Sequence, residues 1–397
     1  MEYSIVKRGQ EISAEGVVYD KGSVYERIQG LQDLRKARGK RYSLTTVLMV
    51  VILAKLSGAD SPTAIAEWGV HHQSEIEELL QIKLKRMPER STYRRILAYQ
   101  VYEEEIERLV GVYNQTGERG DICALDGKAL LGMAKREDGT SEYALSVYDV
   151  QAGKTLSQVE VGRKENEITK APEAIKMAKI AGKVVTGDAL HTQKRLAQAI
   201  VDEQGDYVFP VKENQPALYK NIQALFAPQH PKPGFGKIQT DFLQAQKVNK
   251  GHGRIEKRTL RSSAMLNVYA AWPGLAQVYR LEREIQWWRQ GRCYKTSCEV
   301  EFGITSLSRQ QASPGRLLEV RRAHWGIETG SHYRRDVTLR EDTTRFTIGH
   351  GARVLAHINN LTLALIRQAG FHNAAQARRY FSAHLSDAFS LLVTPFS

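Results

Sequence analysis

Along residues 1–115 apolar side chains recur at helix-like spacing, punctuated by turn residues at Gly58, Pro62 and Pro88. The longest apolar run, Leu44 to Leu56, holds thirteen residues, Thr45, Thr46 and Lys55 among them. That is well short of the roughly 20 needed to cross a bilayer, so it predicts a core helix. Ser61 before Pro62 predicts an N-cap with proline in the first turn of a helix through Ala64-Ile65-Ala66-Glu67-Trp68. A second short helix is expected around Ile76 to Ile82, and Ser91 is placed to cap a third containing Tyr93, Arg94, Arg95, Ile96 and Leu97. Three short helices ending in a basic one resemble a helix-turn-helix arrangement; an ordinary bundle with a charged face fits the same pattern.

After Gly117 and Gly120 the period becomes strand-like. Ile122 to Leu125 predicts a short strand that stops at Asp126-Gly127-Lys128, followed by strands at Tyr143 to Val150 and Thr155 to Val161. A helix near Pro172 to Ala181, a strand over Lys183 to Asp188, a helix from Gln193 to Asp202 and a strand from Tyr207 to Val211 follow. The order β-β-β-α-β-α-β is that of a ribonuclease H-like fold. Strand-like pieces then recur at Val248 to Thr259, Val278 to Trp288 and Tyr294 to Ile304, and helical spacing returns from Leu317, ending in the apolar helix Val354 to Ile366. The fold class expected is α/β, a ribonuclease H-like core with a β-rich insertion and an N-terminal all-helical domain. The boundaries expected are 1–115 for the helical domain, 116–240 and 306–372 for the two parts of the core, 241–305 for the insertion and 373–397 for a C-terminal tail.

Composition narrows the partners. With 42% hydrophobic side chains in 397 residues the chain can bury sizeable cores. Lys and Arg number 57 against 44 Asp and Glu, a formal charge of +13 that favours polyanions, nucleic acid first. Three cysteines, Cys123, Cys293 and Cys298, argue against a disulfide framework and for a reducing compartment. They also lack a second metal-spaced pair, so a zinc site is not expected. Met1 to Val6 carries Glu2 and no apolar stretch before Lys7 and Arg8, so neither a signal peptide nor a membrane anchor is expected.

Two aspartates sit where a predicted strand runs out of apolar residues, Asp126 and Asp188, and strand ends of α/β sheets are common ligand sites. A third acid, Glu328, follows Arg321-Arg322-Ala323-His324-Trp325-Gly326-Ile327 on a predicted helix. Three carboxylates on separate rigid elements can hold two Mg²⁺ ions roughly 3.5–4 Å apart, an arrangement suited to phosphodiester chemistry. Singly, Asp126-Gly127 reads equally as a turn, Asp188 as a helix cap and Glu328 as a surface charge. Glu328 lies 140 residues beyond Asp188, whereas one helix and one strand need roughly 30 to 40, so an insert must separate them.

At this point the chain resembles the insertion-sequence transposases of the DDE superfamily, specifically the ISAs group with its H-repeat-associated relatives. The resemblance runs from about Asp33 to Ala369. It rests on Asp33-Leu34-Arg35-Lys36-Ala37-Arg38-Gly39-Lys40-Arg41, Ala64 to Trp68, Ala124-Leu125-Asp126-Gly127-Lys128, Asn166-Glu167-Ile168-Thr169, Thr186-Gly187-Asp188-Ala189, Val211 to Pro216, Gly251 to Arg258 and His324-Trp325-Gly326-Ile327-Glu328. It implies that Asp126, Asp188 and Glu328 are the metal-binding acids of a Mg²⁺-dependent enzyme, with Mn²⁺ able to substitute. It further implies cutting at terminal inverted repeats, joining of 3′-hydroxyl ends to target DNA, a homodimer on paired ends and a bacterial cytoplasmic, nucleoid-associated location. Where the group usually has Asn and then a His-Trp pair after the glutamate, this chain has Thr329 and then His332-Tyr333. Where the superfamily has a Tyr and an Arg before the glutamate and a Lys after it, this chain has Arg321, His324 and Arg335.

Phosphoryl transfer needs positive charge around the phosphate. The DNA contacts expected are Arg321, His324 and Arg335 around Glu328; Lys128 beside Asp126; Lys212 and Asn214 past the last core strand; His252, Arg254, Trp287 and Trp288 in the insertion; and Arg38, Arg94 and Arg95 in the helical domain. Aromatics among cations can stack a splayed base, and tryptophans of an insert can equally form its small core. Two other readings share these features, a structure-specific nuclease on the same fold and a domesticated DNA-binding regulator.

Overall fold

A computed structural model of the chain describes residues 9–130, 142–162, 166–228, 240–251, 253–267, 270–344 and 346–395. The strands, in chain order, are β1 (Gln10–Ile12), β2 (Val18–Asp20), β3 (Ile122–Leu130), β4 (Glu142–Asp149), β5 (Lys154–Val161), β6 (Val184–Thr186), β7 (Asp206–Val211), β8 (Leu243–Gly251), β9 (Arg254–Ser263), β10 (Gln277–Arg289) and β11 (Arg292–Thr305). The chain divides into two compact units. One comprises Met1–Arg119, Gly127–Gly162 and Glu328–Ser397; the other comprises Gly120–Asp126 and Arg163–Ile327.

The first unit is mainly helical. The run Leu44–Leu56 is a helix with those bounds, capped by Ser43, whose hydroxyl accepts from Thr46 N at 3.0 Å. Twelve of its thirteen residues are buried, so it is covered all round. Lys55 is the charged member, and its ammonium lies 3.3 Å from Asp60 Oδ1. Ser61 caps Pro62–His71 with Pro62 in the first turn, as its sequence predicts. The third of the expected helices, Arg90–Tyr99, begins two residues earlier than expected, with Glu89 rather than Ser91 at the cap. From residue 373 on, the chain forms two helices, Ala374–Ala383 and Leu385–Val393, whose Ala377, Phe381, Ala388 and Leu392 join the same core as Leu48, Leu53 and Leu361. That stretch is an integral part of the core and not a loose tail, because each helix brings an apolar stripe with nowhere else to be buried. The β4–β5 hairpin also belongs to this unit.

The second unit is built on a mixed sheet in the order β3-β6-β7-β11-β10-β9-β8. β3, β6 and β7 run parallel, and the helix Lys194–Asp202 supplies the crossover from β6 to β7 that parallel pairing demands. The other pairs are antiparallel. β-Branched and apolar residues fill the central strands: Val184, Val185 and Thr186 are all buried. Asn166-Glu167-Ile168-Thr169 is a capping box, Asn166 Oδ1 accepting from Thr169 N at 3.0 Å and Thr169 Oγ1 from Asn166 N at 3.2 Å; it opens the helix Glu167–Ala178.

Three expectations change in this unit. β3 continues through Asp126 to Leu130 instead of stopping at Leu125. The segment Val248 to Thr259 is two strands turned at Gly251–Arg254, where Gly253 sits at φ 69°, a left-handed conformation that favours glycine. A helix at Pro216–Phe226, with proline in its first turn, follows β7. The strands after residue 240 extend the sheet itself, because the end of β11 pairs with β7 from Phe302↔Val211 to Thr305↔Val208. Gly303 permits this junction: a Cβ there would run into the Tyr279 ring and the Phe209 carbonyl.

Candidate functional site

The two aspartates each follow the hydrogen-bonded stretch of a pair of parallel strands, β3 and β6. β3 pairs β6 at Ile122↔Val184, Cys123↔Val185 and Ala124↔Thr186; Asp126 follows two residues further along β3, whereas β6 ends at Thr186, short of the strand expected over Lys183 to Asp188, and Asp188 follows two residues beyond that end. Alternation along β3 puts Asp126 on the face of Ala124. Asp188 leaves the strand, and its side chain is half exposed. It is oriented by His191, whose backbone N–H donates to Asp188 Oδ1 at 3.2 Å and whose Nδ1 lies 2.8 Å from the same oxygen. On the other side of the ring, His191 Nε2 lies 3.5 Å from Glu167 Oε2. Burial alone would favour the neutral ring, but the two carboxylates hold the proton and raise the His191 pKa to about 9. Burial works in the opposite direction on Asp188, yet its bonds to His191 keep the carboxyl below its ordinary value. The half-exposed Asp188 carboxylate is a hard oxygen donor of the kind suited to a divalent cation such as Mg²⁺ that keeps part of its water shell.

Glu328 is exposed and heads a π-helical turn, Glu328–His332, immediately after the last residue of the second unit. Such turns cluster at functional sites. Among the described residues, the group of three potential ligands whose donor atoms lie within 4.8 Å of one another is a different one, Asp336, Glu341 and Asp342. That group already holds a cation. Lys128 Nζ lies 2.6 Å from Asp336 Oδ1, 3.4 Å from Asp342 Oδ1 and 3.6 Å from Glu341 Oε1.

The structure sorts the expected DNA contacts into three classes. Lys128 and Arg335 are buried and committed. Arg335 is fully buried, its Nε and Nη2 donating to Glu341 at 2.8 and 2.7 Å and its Nη1 to Gln158 Oε1 at 2.8 Å. A phosphate could reach neither cation without breaking these pairs. Arg38, Arg94 and Arg95 lie in the first unit; Arg38 and Arg95 are exposed, while Arg94 is partly covered. Their neighbour Arg35 is buried and forked onto Asp33, both bonds at 2.8 Å.

The third class surrounds a cleft of about 1080 Å³ in the second unit, whose lining includes Lys212, Asn214, Arg254 and Arg321. Arg321 is clamped by Glu301, Nε to Oε1 at 2.8 Å and Nη2 to Oε2 at 3.0 Å, and Nη1 donates to Thr186 Oγ1 at 3.0 Å. It thereby ties the helix Pro314–Ala323 to the end of β6, next to Asp188. Asn214 Nδ2 donates to Ala189 O at 2.6 Å. His324 is largely buried with Nδ1 unpartnered, and burial, reinforced by the Arg321 charge, pushes its pKa down to about 4, so the ring is neutral. Trp287 carries Lys295 Nζ 4.8 Å above its ring, and Trp288 is more exposed, so neither forms a core. Trp325 is 60% exposed beside the cleft. His252 lies outside the described residues.

Sequence reasoning missed Glu167, His191, Glu256 and Glu301. The spacing of three between Asp188 and His191 is a legible signal, whereas the Glu301–Arg321 pairing follows only from the tertiary fold.

A large mixed sheet with a parallel β3-β6-β7 portion and a helical crossover defines an α/β protein. The chain belongs to the Transposase DDE domain family, whose model matches residues 124–365; the model of the DDE_Tnp_1-associated region matches residues 25–111. Similar proteins include the putative transposase YncI of Escherichia coli O157:H7, 26% identical over 358 residues and 87% of each chain. The H repeat-associated putative transposase YhhI of E. coli K12 is 23% identical over 361 residues, covering 89% of this chain and 93% of its own. Among solved structures, a piggyBac transposase synaptic complex with hairpin DNA aligns at TM-score 0.44 and 12% identity, over 94% of this chain and 77% of that one. The resemblance carried by the sequence motifs therefore holds at family level. Among the described residues no helix is long and apolar enough to cross a membrane.

Proposed function

We propose that the chain is a DDE transposase that cuts DNA at the terminal inverted repeats of its element and joins the freed 3′-hydroxyl ends to target DNA. The observation that supports this reading is the register of β3 against β6, in which Asp126 and Asp188 each follow the last paired residue, Ala124 and Thr186, by two positions, in a chain whose family match spans both acids and Glu328. Asp126, Asp188 and Glu328 would be the ligands of a pair of Mg²⁺ ions, with Mn²⁺ as a substitute. When bound, such ions activate water or a 3′-hydroxyl and stabilise the leaving oxygen of a phosphodiester.

The protein's own groups do the remaining work. His191, held by Glu167, fixes the rotamer of Asp188 so that its second oxygen stays available. Arg321, already aligned by Glu301, holds the helix preceding Glu328 against the end of β6. Lys212, Asn214 and Arg254 contact the DNA backbone. In this reading the strands β3, β6 and β7 belong to a ribonuclease H-like core, residues 1–115 recognise the terminal repeats, and two copies act on paired ends.

The test is a strand-transfer assay with native ends and Mg²⁺, run in parallel with Asp126→Asn. Native protein is expected to cleave and join; the variant, lacking one charged ligand, is expected to do neither while still binding DNA. Cleavage that survives the substitution removes Asp126 from the reaction.

A further inference from the structure

The motif Gly251 to Arg258, in which only His252 and Arg254 have a role so far, acquires a further one from strand geometry. On β9 the residues Arg254, Glu256 and Arg258 share one face by alternation. Across the antiparallel ladder Arg258 stands directly opposite Arg283 of β10. Like charges so placed repel, and would drive the two guanidinium groups apart. Glu256 prevents this. Only 4% exposed, its carboxylate accepts from Arg283 Nε, and its Oε1 lies 2.7 Å from Arg258 Nη2, with Oε2 3.8 Å from Arg254 Nη2. Asn249 of β8 extends the array, Oδ1 accepting from Arg258 Nη1 at 3.3 Å and from Arg322 Nη1 at 3.5 Å. The four arginines line the cleft, together with Lys212 and Arg321, while Glu256 lies beneath them and does not. Among the described residues Glu213, Glu299 and Glu301 are the acids in that lining, and the last two are already paired with Arg283 and Arg321.

We infer that Glu256 is a positioning residue that locks Arg254, Arg258 and Arg283 into a fixed cradle for consecutive phosphates of a DNA backbone. The chemistry is that of a planar donor set: an arginine that spends some of its five N–H donors on a buried carboxylate keeps the remaining donors aimed, and the partners on Arg258 Nη1 and Arg283 Nη1, Asn249 and Glu299, add to that fixing, so little side-chain entropy is lost when a phosphate arrives. The inference rests on the reading of the chain as a DNA-binding protein, and it makes an unusual prediction of sign. Removing a negative charge from beneath a basic surface should, by charge alone, tighten binding to a polyanion. If Glu256 orients the cradle, removing it loosens binding instead.

The experiment measures binding of the full-length protein to a labelled DNA duplex without divalent metal, as a function of salt. Glu256→Gln is expected to bind about tenfold more weakly, with a salt dependence shallower by about two phosphate contacts, and Glu256→Asp to recover part of the loss. Arg258→Lys combined with Arg283→Lys keeps the charge and discards the fork; it is expected to weaken binding several-fold, and it decides the matter if Glu256→Gln melts early. Native protein that binds while Glu256→Gln binds equally or more tightly overturns the cradle alone, as does a double lysine variant with native affinity. Native protein that does not bind DNA overturns the functional reading with it.

Discussion

At the scale of single residues, the sign of a charge says little until its partner is known. Arg335 and Lys128 look in the sequence like DNA contacts, yet both are buried counter-ions of Glu341. The Arg335–Gln158 bond joins residues separated by 177 positions, which no local pattern announces. A buried pair of this kind contributes little net stability when intact, but removing one member strands the other. Arg335→Met is accordingly expected to destabilise the protein by about 3–5 kcal/mol in chemical denaturation, with Glu341→Gln added to it restoring part of the loss. Equal stabilities of Arg335→Met and native protein would mean that Glu341 finds another cation.

At the scale of elements, patterning was most legible where local physics decides. The helix Leu44–Leu56 and the cap at Ser61 follow from an unbroken apolar run and from Ser-Pro chemistry, both of which act within a few residues. The strands leading to Asp126 and Asp188 are also visible, since short apolar runs end just before each acid. Their register is not, because pairing is set by what lies across the sheet. The helix Pro216–Phe226 has a weak start signal because the strong capping residue Asn214 lies one position too early and the N-cap itself, Gln215, makes no side-chain capping bond. The single strand expected over Val248 to Thr259 failed because polar residues dominate both arms of the hairpin and mask the turn at Gly253. Glu256 was hidden for a related reason: among so many cations one acid reads as a neutralising surface charge, and only the alternation Arg-x-Glu-x-Arg hints that the three share a face.

At the scale of the whole molecule, buried titratable groups set the acid limit of stability. His357 is buried, and that burial, seconded by the Arg335 charge, pushes its pKa down to about 3; Glu341 and Arg353 are the other charges acting on it. For Glu341 burial alone would raise the carboxyl, but Arg335 draws it down to about 2. Between pH 6.5 and 3 the unfolded chain takes up a proton at His357 that the folded chain refuses, and below the ordinary carboxylate range the same holds for Glu341. Both groups therefore make stability fall with acidification, by at most about 1.4 kcal/mol per pH unit for each titrating group. Thermal melts are expected to drop steadily from pH 6.5 to 4, and His357→Gln to flatten that slope; an unchanged slope in the variant would assign the acid sensitivity elsewhere.

The same burial has a chemical corollary for the lysines. The amines of Lys55, Lys128 and Lys154 are each at most 6% exposed and sit against oxygen acceptors, Lys154 donating to Thr116 O at 2.6 Å. An acylating reagent, or a cellular acetyl donor, should leave these three untouched in native protein and modify them only after denaturation, which peptide mass mapping would reveal. Chemical silencing of this protein would then have to act through its outer cations, leaving its internal charge balance intact.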